Sequence, residues 1–211
     1  MQNKETFLTI IAVTCSDHSI HQIRQFIAGL YCQTDPNWKC KIFYDVNQEN
    51  DPKIHYTLDE FGVDYDYSMG HKDYDRRIEF VFVNPALGQY GNPNRWRGVL
   101  ETDTEWLTHT NVDNQMIPRF VETLREHKED CEVLAFPILH SYANGKFYEV
   151  LDPIPRVGDI DYCSFMIKTD LMKQIGFPAI DYSGCDGLIA EKVVSLGAKW
   201  KSLRCVLGVH N

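Results

Sequence analysis

The chain has neither of the common glycine-rich phosphate cradles. There is no G-x-x-x-x-G-K-[ST] loop and no G-x-G-x-x-G, so any bound nucleotide must have its phosphates neutralised by a cation or by basic side chains. No apolar run approaches the ~20 residues that span a bilayer. The opening Met-Gln-Asn-Lys-Glu-Thr lacks the basic start and apolar centre of a signal peptide, and there is no N-x-S/T sequon. Positive charge is scarce: 21 Lys and Arg face 30 Asp and Glu, for a net charge of −9. Nucleic acid is thereby excluded as the main partner, because backbone binding needs a basic face. The seven cysteines include no C-x-x-C pair, and their odd number argues against a disulfide framework. Several sit in apolar runs, as expected of reduced thiols in a cytoplasmic protein.

What is present is an ordinary globular composition, 44% hydrophobic and 24% charged over 211 residues. That suits one large domain or two small lobes on a shared core. Phe7 to Val13 reads as a buried parallel strand. Ser19-x-x-Gln22 offers a capping box for a helix carrying Ile20, Ile23, Ile27 and Leu30. Trp38 to Val46 predicts a second strand, with a short helix following near Tyr56 to Phe61. Arg77 to Val83 predicts a third strand, Arg95 to Thr102 a helix, and Glu105 to Thr110 a fourth strand. Pro118 is expected in the first turn of the next helix. Glu132 to Ile138 and Tyr162 to Lys168 read as strands, with Thr169 capping a helix closed by Gly176. Asn144-Gly145 signals a hairpin. A helix over Asp186 to Leu196 and a final strand over Trp200 to Val209 complete an α/β chain sharing one sheet.

Ligands of open parallel sheets bind beyond the carboxyl ends of the strands. Three predicted strands end there in polar residues: Thr14-Cys15-Ser16-Asp17, Asp45, and Asn111-Val112-Asp113-Asn114. Carboxylates at such ends can accept from a ribose or base, ligate a hard cation, or merely cap the next helix. Arg95 and Arg97 are candidates for neutralising a diphosphate, against an ordinary solvated helix surface. His18, His71, His109 and His140 have no ligand spacing. The segment from His140 to Tyr162 carries Tyr142, Phe147, Tyr148 and Asp159, either as a loop over a sugar or as a packed hairpin.

The run from Gly88-Gln-Tyr-Gly-Asn-Pro-Asn-Arg-Trp-Arg to Leu-Thr-His-Thr-Asn-Val-Asp-Asn114 resembles a segment of GT-A glycosyltransferases. It is similar to the large inverting family that includes the cellulose and chitin synthases, where an arginine-bearing helix precedes a strand and D-x-D. Leu-Thr-Ile-Ile-Ala-Val-Thr14 resembles that family's opening. Cys163-Ser-Phe-Met-Ile-Lys-Thr-Asp, then Cys185-Asp-Gly, then Leu207-Gly-Val-His-Asn211 resemble its second half, in the right order over nearly the whole chain.

The resemblance implies one GT-A domain over 1–211, with a mostly parallel sheet flanked by helices. Residues 1–114 would form the nucleotide-sugar half and 115–211 the acceptor and catalytic half. Asp45 would contact the donor base beside Thr14. Asp113 would hold Mn2+ or Mg2+ against the diphosphate of a UDP- or GDP-sugar, with His210 completing the site. Asp186 would deprotonate the hydroxyl of a glycan, lipid-linked or other acceptor, kept ionised by its helix dipole; Glu191 is a second candidate base. Asn111 stands where an aspartate is usual, which removes a charge from the metal site.

Two other readings compete. A nucleotidyltransferase usually carries a glycine-rich loop after the first strand, where this chain has Cys15-Ser-Asp-His. A non-catalytic sugar-nucleotide or glycan-binding module is favoured by Asn111.

Overall fold

The structure is a computed structural model that describes residues 6–14, 18–45, 52–64, 75–141, 148–178 and 181–211. The first half runs β1 (Leu8–Val13), α1 (Ile20–Tyr31), β2 (Trp38–Tyr44), α2 (Pro52–Phe61), β3 (Val63–Asp64), β4 (Asp75–Phe82), α3 (Asn92–Glu101) and β5 (Trp106–Asn111). The second half continues through β6 (Gln115–Met116), α4 (Phe120–His127), β7 (Val133–Ala135), β8 (Ile138–Ser141) and β9 (Tyr148–Leu151). It closes with β10 (Phe165–Lys168), α5 (Thr169–Ile175), α6 (Cys185–Ser195), β11 (Trp200–Ser202) and β12 (Gly208–His210).

Eight strands form the main sheet in the order β11-β7-β10-β5-β1-β2-β4-β3. Neighbours are parallel except at β10, which runs against both β5 and β7. β1 is buried on both faces, which explains its apolar sequence, interrupted only by Thr9, whose hydroxyl is hydrogen-bonded to that of Thr104. Leu8, Ile10 and Ala12 point into a core with residues of α1, α2 and α4. Ile11 and Val13 point into the opposite core with residues of α3, α5 and α6. The helices therefore cover the sheet three to a face, and each fully buried Leu or Ile contributes about 1.5–3 kcal/mol. The capping box at Ser19 forms as the sequence predicts, with Ser19 and Gln22 each accepting from the other's backbone N–H.

Several elements differ from expectation. The chain does not share one sheet. Four strands make a second sheet in the order β6-β12-β8-β9. The predicted strand from Glu132 to Ile138 divides around Phe136-Pro137, and that from Trp200 to Val209 divides into β11 and β12. The two breaks lie side by side: β11 pairs with β7 in one sheet, β12 with β8 in the other, and Leu207 N donates to Pro137 O at 3.1 Å across the corner. Both strands bend together and so keep their pairing, which a pattern read one segment at a time does not reveal. Pro118 precedes α4, whose N-cap is Arg119. Thr169 is the first residue of α5 and makes no capping bond, Lys168 being the N-cap. α3 begins at Asn92, three residues before the expected start. β8 and β9 pair antiparallel, as a hairpin requires, while Asn144-Gly145, Tyr142 and Phe147 lie outside the described residues.

Among the described residues, no helix is long and apolar enough to cross a membrane.

Candidate active site

Parallel registry places the ends of three strands side by side. Val13 sits level with Phe43 on β2 and with Asn111 on β5. Beyond this edge opens a cavity of about 890 Å³, lined among others by Thr14, Asp45, Arg95, Asn111, Asp161 and Asp186. That volume lies at the upper end of the ~300–1,000 Å³ usual for ligand sites.

Thr14 and Asp45 are both buried. Asp45 N donates to Thr14 Oγ1 at 3.2 Å. The Asp45 carboxylate accepts from the backbone N–H of Leu87 at 2.7 Å and of Gly88 at 2.9 Å. It thus anchors the loop between β4 and α3. The loop then passes through four successive positive φ values, Gly88 at 61°, Gln89 at 51°, Tyr90 at 58° and Gly91 at 74°. Gly91 is required twice over, because a Cβ there would also lie 2.8 Å from Val13 Cγ2.

Arg95 is 2% exposed, an unusual place for a guanidinium. Its Nη1 donates to Thr110 O at 2.9 Å and its Nη2 to Asn111 Oδ1. Its Cζ lies 4.5 Å from the centre of the Tyr162 ring, a cation–π contact that gains strength where water is excluded. Tyr162 in turn donates to Asn92 Oδ1 at 3.0 Å. His109 packs edge-on against Tyr162 and is held neutral by burial and by Arg95, its pKa lying well below the ordinary value. Arg95 is therefore clamped between a strand end and an aromatic wall.

Asp186 lies in the first turn of α6 and is buried. Burial, and then the charge of Asp161, raise its pKa to about 6, while the Gly187 N–H and Arg95 pull the other way. The Gly187 N–H reaches its Oδ1 at 2.7 Å. Desolvation and a like charge outweigh the stabilisation expected from the helix start, so this carboxyl ionises well above the ordinary aspartate value and yet below neutral pH.

Asp113 Oδ1 is buried without a hydrogen-bond partner, and Oδ2 lies 3.4 Å from His18 Nε2. His210 reaches a different carboxylate. Its Nε2 is 3.5 Å from Asp161 Oδ2, and its ring stacks on His140 at 4.4 Å. The chain end does return to Asp113, through Asn211, whose Nδ2 donates to Asp113 O at 2.7 Å.

No family model and no curated protein sequence matches this chain. Solved structures do. The S. aureus TarS fragment 1-349 is 14% identical with a TM-score of 0.66, over 97% of this chain and 60% of that one. The same fragment in complex with UDP-GlcNAc is 13% identical with a TM-score of 0.66, over 96% and 58%. The mannosyltransferase PcManGT from Pyrobaculum calidifontis, in complex with GDP-Man and Mn2+, is 15% identical with a TM-score of 0.67, over 99% and 57%. These neighbours are glycosyltransferases of GT-A fold. This chain has the GT-A fold. It spans about 60% of the length of the first of these neighbours.

Within this fold the strand-end edge gathers Thr14, Asp45, Arg95, Asn111 and Asp186 around one cavity. Arg97 is not brought there. It is half-exposed, pairs with Glu101 at 2.8 Å and lies over Phe43, because it sits two residues from Arg95 on another side of α3. Glu191 is also elsewhere, accepting from Val157 N at 3.0 Å, where it fastens a loop to α6. Asn111 differs from a free metal ligand, since its oxygen already accepts from Arg95. Among the described residues no group of three His, Cys, Asp or Glu is arranged to hold a metal.

Sequence reasoning did not single out Lys53, Tyr90, Asp161 and Ser183, which also line the cavity, and it set His18 aside for want of ligand spacing. The four-residue turn around Tyr90 carried a local signal in its two glycines. The others approach the site from separate elements, and no spacing could report them.

Proposed function

We propose that this chain transfers a sugar from a nucleoside-diphosphate donor to an acceptor hydroxyl. The observation that carries the reading is one cavity lined by both a clamped, buried Arg95 and an Asp186 carboxyl raised to about 6. A fixed cation suits a diphosphate, and a carboxylate with a pKa near neutrality suits a general base. In the reaction Asp186 takes the proton of the acceptor hydroxyl. The freed oxygen attacks the anomeric carbon, the bond from that carbon to the diphosphate breaks, and the electron pair leaves with the nucleoside diphosphate. Attack opposite the leaving group inverts the anomeric centre. Thr14 and Asp45 would border the nucleoside, while residues 115–211 supply Asp186 and the acceptor side.

The metal site we propose is a shared one. Asp113 has one unpartnered oxygen, and among the described residues no group of three His, Cys, Asp or Glu surrounds it; Asp113 would hold Mn2+ or Mg2+ together with the donor's diphosphate. His18 and His210 are candidates to join it. When bound, the ion supplies Lewis-acid stabilisation to the departing diphosphate. Kinship with the inverting family of the cellulose and chitin synthases rests on motif order along the chain. TarS complexes with UDP and UDP-GlcNAc, and the PcManGT complex with GDP-Man and Mn2+, support a UDP- or GDP-sugar donor. We propose a cytosolic setting, a reading that the cysteine usage of the sequence supports.

Calorimetry of UDP and GDP with and without Mn2+ tests the reading. Tighter binding with metal is expected, with the difference abolished in Asp113→Ala. No affinity for either nucleotide removes the donor assignment. A second reading, a module that binds sugar nucleotides without transfer, is favoured by Asn111 being engaged by Arg95. Hydrolysis of donor in the presence of Mn2+ separates the two.

A further inference from the structure

The strained turn at the cavity edge is anchored on Asp45 through the Gly88 N–H, but the side chains of its Gln89 and Tyr90 serve neither the donor contacts nor the base proposed above. Gln89 and Tyr90 hold left-handed backbone conformations that cost a non-glycine residue free energy. The turn leaves the Tyr90 side chain 67% exposed at the lining of the cavity. On the loop before α6, Tyr182 is 44% exposed and its ring packs against Gly184, where a Cβ would come within 2.7 Å of Tyr182 Cε1. Asn92, two residues after Tyr90, donates from Nδ2 to Tyr182 O at 3.1 Å and binds the two loops together. Neither ring stacks on another aromatic ring among the described residues. Ser183 and Asp186 follow directly on the Tyr182 loop and line the same cavity.

The geometry points to Tyr90 as a specificity-determining platform on which the acceptor stacks, and hence to an acceptor whose reactive hydroxyl belongs to a pyranose ring. This rests on the glycosyltransferase reading above and deepens it. Three features favour the acceptor over the donor. The deep part of the cavity, bounded by Thr14, Asp45 and Arg95, is where a nucleotide would lie. Tyr90 stands at the mouth instead. The Asn92 bond ties the Tyr90 turn to the loop leading to Asp186, the group that must meet the acceptor hydroxyl. A pyranose offers a face of C–H bonds that an aromatic ring covers well, with its hydroxyls left at the edge for a base. A flat, exposed tyrosine held by a rigid turn presents such a face at little entropic cost.

The test uses saturation-transfer NMR on the intact chain with four methyl pyranosides, those of glucose, galactose, mannose and N-acetylglucosamine. Each is measured alone and with UDP or GDP and Mg2+, which avoids paramagnetic Mn2+. Wild type should transfer saturation to the ring C–H protons of at least one glycoside. Tyr90→Ala should lower that signal by about fivefold or more, and Tyr90→Phe should keep it, since the ring face and not the hydroxyl makes the contact. Calorimetric nucleotide affinity of Tyr90→Ala should stay within about twofold of wild type. The proposal is overturned by any of three results: no transfer to any pyranoside in wild type, undiminished transfer in Tyr90→Ala, or a loss of nucleotide affinity as large as the loss of pyranoside signal. The last would put Tyr90 against the donor. Failure of wild type to bind either nucleotide counts against the glycosyltransferase reading instead, and the pyranoside arm without nucleotide still decides Tyr90.

Discussion

A carboxyl group in water gives up its proton near pH 4, but Asp186 holds its own up to about pH 6. Two consequences follow at the scale of the residue. If Asp186 is the base, transfer should rise with pH through about 6 and level off above it, and Asp186→Asn should abolish transfer while leaving donor binding intact. A flat pH–rate profile between 5 and 8 excludes Asp186 as the base. The second consequence concerns stability. The folded chain binds this proton more tightly than the unfolded chain, so ionising Asp186 in place costs nothing below pH 4, progressively more from 4 to 6, and the full penalty above. A shift of roughly two units corresponds to about 3 kcal/mol. Asp186→Asn should therefore be more stable than wild type at pH 8, by up to about that amount. The gain should vanish as pH falls toward 4. Urea titrations across this range measure it. A variant no more stable than wild type at pH 8 means that the carboxylate is better compensated than its surroundings indicate.

At the scale of the element, two glycines set how closely helices approach their neighbours. Gly98 in α3 faces β1 and β2, where a Cβ would lie 2.8 Å from Ile11 Cγ2 and 3.1 Å from Phe43 Cε2. Alanine is the better helix former by about 1 kcal/mol, yet overpacking a filled core costs about 1–3 kcal/mol. Gly98→Ala should thus destabilise on balance, and a rise in melting temperature would show that the core yields. Gly187 is tighter still, because its Cβ would come 2.3 Å from Val157 Cα, which is backbone and cannot rotate away. Either α6 or the loop from 153 to 159 must move, and the Val157–Glu191 hydrogen bond is strained with them. Gly187→Ala should lower transfer by about tenfold or more although it removes no reacting group, since small misplacements of a base are costly. Donor affinity, held by other elements, should change much less.

At the scale of the molecule, the cavity is assembled from both halves of the chain, β1, β2 and α3 on one side and the segments before β10 and α6 on the other. A nucleotide bridging them binds the folded state alone and should raise its melting temperature by mass action. At a concentration about 100 times Kd the gain is about 2.7 kcal/mol, or roughly 5–10 °C for a domain of this size. UDP or GDP with Mn2+ should give that shift in a thermal scan, and Asp113→Ala should remove the part that depends on metal. The same shift in wild type and Asp113→Ala would detach the metal from Asp113.

The strand pattern of the first half was legible from runs of apolar and aromatic residues, broken by Thr9 in β1, by Lys39 and Lys41 in β2 and by Glu79 in β4, and from the polar residues at the strand ends, Thr14, Asp45 and Asn111. Local chemistry also determined the capping box at Ser19, the break at Gly176, and the order of motifs that resembles GT-A enzymes. Tertiary structure decided what depends on partners distant in sequence. The bend shared by β7–β8 and β11–β12 exists only because the two strands pair, and it turned one expected sheet into two. Arg95 reaches the cavity and Arg97 does not because they occupy different sides of α3, and only the packing against β1 and β5 fixes which side is inward. Asp186 was legible as a helix-start carboxylate, but its raised pKa comes from burial and from Asp161, 25 positions earlier in the chain. Charge, desolvation and reach depend on distance in space, and sequence records only distance along the chain.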